Sequence, residues 1–181
     1  ARGAAKRPEA QMEAELSSMK RRLILSFLFL IPLFYISMGH MMGAPLPAFL
    51  VGHENAISFA FTQLLLTLPI LYINDKYYKN GFRSLLHGGP NMDSLIAVGS
   101  IAAVIYGVFA IYQIGYGLGH GDMARVEQYH MDLYFESAGM ILTLITLGKF
   151  LETRSKGKTS QAISRLMDLA PKTATVLRDG A

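Results

Sequence analysis

The chain holds 181 residues, 51% of them apolar and only 17% charged, with a formal net charge of +4 and no cysteine. No Asp, Glu, Lys or Arg occurs from Leu23 to Gly52, nor again from Ser94 to Gly121; a soluble helix needs a polar face, so runs of this length call for lipid as their solvent. The pI near 9.3 does not point to nucleic acid, because the cations flank apolar runs instead of gathering on one soluble face. The missing thiols exclude disulfides and thiolate metal sites within these residues.

In chain order, residues 1–20 read as a polar cytosolic tail, without the apolar core and cleavage site of a secretory signal. A first span at about 22–42 is long enough to cross roughly 30 Å of hydrocarbon. A loop rich in Gly and Pro, Gly43–Asn55, follows and leads to a second span at about 56–73. Residues 75–86 mix aromatics with Lys76, Lys79 and Arg83, which predicts an interfacial amphipathic helix. The turn His87-Gly88-Gly89-Pro90 and an N-cap at Asn91 or Asp93 open a third span at about 92–117. Its small residues predict a place inside a bundle. A polar loop, Leu118–Glu127, leads to a fourth span at about 129–151.

Beyond it, residues 156–181 read as a linker helix, stopped by Pro171, and then a strand, Thr173–Arg178, running into an Asp-Gly turn. A lone strand is unstable, so the expectation is a fragment that stops at the threshold of a β-rich soluble domain. The fold class is therefore an all-α membrane protein of four transmembrane helices in the region 21–155. An interfacial helix follows the second span, and a β-rich domain begins at the C-terminus.

Orientation follows from the cations. Of the 17 Lys and Arg residues, only Arg125 falls in a loop on the opposite side from the tail, the middle loop and the C-terminal part. The positive-inside rule then places both termini in the cytosol.

Polar groups within spans cost free energy unless they have a partner or a purpose. Glu136 and Glu152 bracket the fourth span, about 24 Å apart along a helix, one near each boundary. Met92 is level with Glu152, and a thioether beside a carboxylate suits Cu(I). Met38, His40, Met41 and Met42 cluster at the outer end of the first span with His53 nearby, and His120, Met123, His130 and Met131 repeat this flavour. Each also has a structural reading: packed or lipid-facing methionines, interfacial histidines, a snorkelling acid. The cations at Lys76, Lys79 and Arg83 likewise fit either a docking platform or a membrane anchor.

The blocks Asn91-Met92-Asp93-Ser94-Leu95-Ile96-Ala97-Val98-Gly99, Tyr134-Phe135-Glu136-Ser137-Ala138-Gly139-Met140 and Gly148-Lys149-Phe150-Leu151-Glu152 closely resemble the heavy-metal-transporting (class IB) P-type ATPases, copper exporters above all. The run Ser155–Ala174 resembles their linker into the actuator domain. The resemblance implies that Met92 and Glu152 load the transported Cu(I) on the cytosolic side and that Glu136 lies on the exit path. It also implies that the helix after the second span is a platform receiving copper from a chaperone or metal-binding domain. ATP and Mg would be bound by domains outside these residues, since no phosphorylation, actuator-loop or Cys-Pro-Cys motif is present. The family often breaks its second helix with a Gly-Gly pair; here Ile73-Asn74 stands in that place. The alternatives are a zinc, cadmium or silver pump of the same class, and a stand-alone four-helix metal-binding module.

Overall fold

A computed structural model describes the backbone of residues 2–168 and the side chains of residues 10–39 and 41–159. Within it lie six α-helices: α1 (Arg2–Met42), α2 (Ala56–Ile73), α3 (Asp75–Leu86), α4 (Met92–His120), α5 (Met123–Met131) and α6 (Phe135–Asp168). Short 3-10 turns occupy Ala48–Leu50 and His53–Asn55, and no strand occurs among the described residues. The expected strand Thr173–Arg178 lies outside them. Four helical segments are long and apolar enough to cross a membrane: Ala10–Gly39, His53–Ile73, Met92–His120 and Met123–Thr159.

The first span is only part of its helix. At 41 residues α1 measures about 60 Å, twice the hydrocarbon thickness. The polar tail thus continues the span, as its run of Ala, Glu, Gln and Met favours. Along α1 the sheltered residues recur at alternating steps of four and three: Met12 and Leu16 are half-buried, and Met19, Leu23, Ser26, Leu30 and Leu33 are buried. A 3.5-residue repeat holds one seam against a neighbour over many turns. The neighbours are α6 and α2. The contact persists into the extensions, because a methyl on Gly157 of α6 would meet the Met12 thioether at 3.1 Å.

Leu33, Phe59, Ile70, Ile114, Phe135 and Leu142 form the heart of the bundle. The Phe135 ring fits against α4 only because position 107 is glycine: a Cβ there would lie 2.4 Å from the ring. Small residues give transmembrane helices this close approach.

The helix break expected of a Gly-Gly pair is present without one. Asn74 leaves helical geometry at φ −106° and ψ 23° and is fully buried. Its Nδ2 donates to Ile70 O at 2.9 Å and to Ser26 Oγ of α1 at 2.8 Å. Its Oδ1 accepts from Thr146 Oγ1 of α6 at 3.0 Å, and Thr146 lies 3.0 Å from the Tyr77 hydroxyl. A side-chain amide thus satisfies the polar groups that a break exposes within apolar surroundings.

From this joint α3 packs on the start of α4. Ser94 Oγ donates to Gly81 O at 2.7 Å, and a Cβ on Gly81 would lie 2.4 Å from Asp93 O. Asn91 caps α4 through a capping box with Ser94. At the opposite end Gly121, with φ +69°, closes α4. Asp122 then caps α5 by accepting from Arg125 N at 3.2 Å. Residues 129–131, read in sequence as the start of the fourth span, belong to α5, and α6 begins at Phe135. Below, the end holding the α1 extension, α3 and the α6 extension is the basic side; the end holding α5 is the far side.

Candidate functional site

Among the described residues, a polar cavity indents each end of the bundle, and a larger apolar groove lies between α1 and α6. The basic-side cavity encloses about 280 Å³. From α6 it receives Lys149 and Glu152, from α4 Asp93, from α3 Lys76 and Tyr77, and from the α1 extension Glu15, Met19 and Arg22. Lys149 Nζ lies 2.5 Å from Asp93 Oδ1 and 4.7 Å from the centre of the Tyr77 ring. The cation is thus held between a carboxylate and an aromatic face. Glu152 stands at the rim, mostly exposed, and pairs with Lys156 one turn on at 2.5 Å.

Met92 does not line this cavity and is 61% exposed. The cap explains its direction. Ser94 is drawn to the Gly81 carbonyl and Asp93 to Lys149, which leaves Met92 and Leu95, three residues apart, on the outward face. The structure therefore places Met92 and Glu152 at the same end of the bundle but does not bring them into one cavity.

Lys76, Lys79 and Arg83 share one exposed face of α3, opposite the buried Tyr77 and Gly81. Lys76 reaches the cavity rim. Lys79 is paired with Asp75, and that carboxylate, as hydrogen-bond partner and as charge, holds the amine above its usual range. The pair is exposed and contributes little to stability.

The far-side cavity encloses about 170 Å³ between α1, α2, α5 and α6. Glu136 lies in the first turn of α6 and is only 6% exposed. Its two oxygens accept from Ser37 Oγ at 3.1 Å and Ser137 Oγ at 3.2 Å. A buried carboxylate is tolerated there because two hydroxyls and the helix N-terminus stabilise it. Met38, Met41, His130 and Met131 also line the cavity, with His130 tilted on Phe59 at 4.6 Å and edge-on to His53 at 6.3 Å. Met42 points away and is exposed, and the His40 side chain lies outside the described ones. Met123 and His120 stand apart from the cavity, both exposed; the His120 ring stacks on Tyr116 at 4.0 Å.

Gln63 was not singled out in the sequence, since one amide in an apolar span gives no pattern. It is 1% exposed, lines the far-side cavity, and its Oε1 has no hydrogen-bond partner among the described residues. No trio of His, Cys, Asp or Glu suited to a metal occurs among the described residues. Methionine thioethers line both polar cavities, and a thioether is a soft ligand that favours Cu(I).

The chain is similar to three bacterial copper ATPases. A probable copper-importing P-type ATPase A of Enterococcus hirae is 38% identical over 174 residues, covering 94% of this chain and 21% of that protein. A copper-transporting ATPase 1 of Rhizobium meliloti is 38% identical over 181 residues, covering 97% and 20%. A copper-exporting P-type ATPase of Staphylococcus epidermidis is 34% identical over 166 residues, covering 91% and 19%. The chain thus spans about a fifth of the length of the curated relatives it matches. No protein-family model matches it, and no solved structure does.

Proposed function

We propose, from the premise that this chain belongs to the copper-transporting P-type ATPases, that its bundle is the leading membrane part of an ATP-driven Cu(I) export pump. The observation that carries the reading is the pair of cavities at opposite ends of one bundle. The basic-side cavity is lined by Met19 and Glu152, and the far-side one by three methionines, His130 and Glu136. In this reading the basic side faces the cytosol, as the positive-inside rule requires. Met92, exposed at the start of α4, is the first thioether that an incoming ion meets, and Glu152 draws it in by charge. The cationic face of α3, with Lys76, Lys79 and Arg83, receives an acidic copper chaperone or metal-binding domain. Glu136, a buried carboxyl group, draws the ion out on the far side, where the thioethers of Met38 and Met41 bind it transiently. ATP and Mg act on domains outside these residues, the last of which lead into an actuator domain.

The test is copper-stimulated ATP hydrolysis by the full-length protein. Met92→Leu and Glu152→Gln should each raise the copper concentration for half-stimulation about tenfold, the loss of one ligand worth about 1.4 kcal/mol. Glu136→Gln should lower turnover at saturating copper instead. Unchanged stimulation in all three variants overturns the assigned roles.

A further inference from the structure

The seam of α1 explains why apolar residues occupy it, but not which ones. Where the helix lies within the bundle, the apolar seam positions carry leucine: Leu23, Leu30 and Leu33. At the cytosolic end of the proposed orientation two of the three seam positions, Met12 and Met19, carry methionine, with Leu16 between them. Met19 is 6% exposed and lines the basic-side cavity together with Glu15 of its own helix and Glu152 of α6. The thioether expected there from the sequence, that of Met92, is turned outward. A thioether and two carboxylates at the wall of one polar cavity form a donor set for a soft monovalent cation. Of the three cations that line the cavity, Lys149 is paired with Asp93, while Arg22 and Lys76 share the lining with Glu15 and with Glu152, which Lys156 pairs from one turn on.

We propose that Met19 supplies the inward thioether of the cytosolic loading site, so that the α1 extension is part of the ion path and not only a linker. This inference rests on the reading of the basic-side cavity as the loading site. An ion captured at the exposed Met92 passes to Met19 and Glu152, and the α1–α6 seam fixes the distance between those two donors. Because α1 runs unbroken from Met19 to the Ser37–Met41 segment at the far side, it carries soft donors to both cavities. Any displacement of the tail helix then acts directly on loading.

Ag(I), a redox-stable probe of Cu(I) sites, tests this on the 181-residue chain in lipid nanodiscs. The background carries Met38→Leu and Met41→Leu, which weakens the far-side cavity. Met19→Leu, which keeps the apolar volume of the seam, should weaken Ag(I) binding about tenfold and remove one silver–sulfur contact from the X-ray absorption spectrum. Met19→Cys should retain that contact. If Met19→Leu binds as the background does while Glu152→Gln binds more weakly, the role of Met19 is overturned and the loading site stands. If neither variant changes binding, both fall.

Discussion

Asn74→Leu is the sharpest probe of how the bundle is held together. The change nearly conserves volume and removes three hydrogen bonds: to Ile70 O at 2.9 Å, to Ser26 Oγ at 2.8 Å and from Thr146 Oγ1 at 3.0 Å. Thr146 keeps Leu142 O at 2.7 Å and the Tyr77 hydroxyl at 3.0 Å, so it is not orphaned. Bonds between transmembrane helices average roughly 0.6 kcal/mol. The bond closing the last turn of α2 adds about 1 kcal/mol. The sum is about 2 kcal/mol, a shift of roughly thirtyfold in the folding equilibrium. Reversible unfolding of the chain in mixed micelles with rising SDS measures it. A double-mutant cycle with Thr146→Val isolates the interhelical bond, with an expected coupling of about 0.5–1 kcal/mol. A loss below about 0.5 kcal/mol, the scale of an ordinary surface change, together with zero coupling, would refute the argument that Asn74 replaces a glycine break by joining three helices.

Gly81→Ala places a Cβ 2.4 Å from Asp93 O and 2.9 Å from Ser94 N, both backbone atoms. The same unfolding assay should show a loss of about 1–3 kcal/mol, while Gly89→Ala, with nothing within 4 Å, should show none. The chain has no cysteine, so single thiols can report orientation. Cysteines in place of Ser18, Asn80 and Ser155 should be shielded from an impermeant maleimide in intact cells, and one in place of Met123 should label. The reverse pattern would invert the proposed orientation. Gly107→Val drives a branched side chain into the Phe135 ring, whose carbons lie 2.4 Å from the added Cβ; thermal aggregation of the purified chain should begin at a lower temperature.

The spans were legible because two long charge-free runs have only one solvent that suits them, and because Asn91 is a strong local cap. Glu136 was legible as an acid at the edge of a span, though not the two serines that make its burial tolerable. What escaped depends on which helices touch. The residues 12, 16 and 19 carry a helical stripe in plain view, yet only the pairing of α1 with α6, distant in sequence, reveals what that stripe faces. Met92 read as an inward ligand from its level in the membrane. Its direction is decided by the Ser94–Gly81 and Asp93–Lys149 contacts, which no periodicity encodes. Gln63 was silent for the same reason, and Asn74 showed only as the residue standing where a helix break is expected: a single amide acquires meaning from a cavity or a break supplied by its neighbours.

The most direct measurement of the central claim is ion-stimulated ATP hydrolysis by the full-length protein in inside-out vesicles, with uptake of radioactive copper followed in parallel. Methionine donors at both ends predict that Cu(I) and Ag(I) stimulate turnover, that Zn(II) and Cd(II) do not, and that copper accumulates inside the vesicles. Stimulation by Zn(II) with no response to Cu(I) would contradict the account.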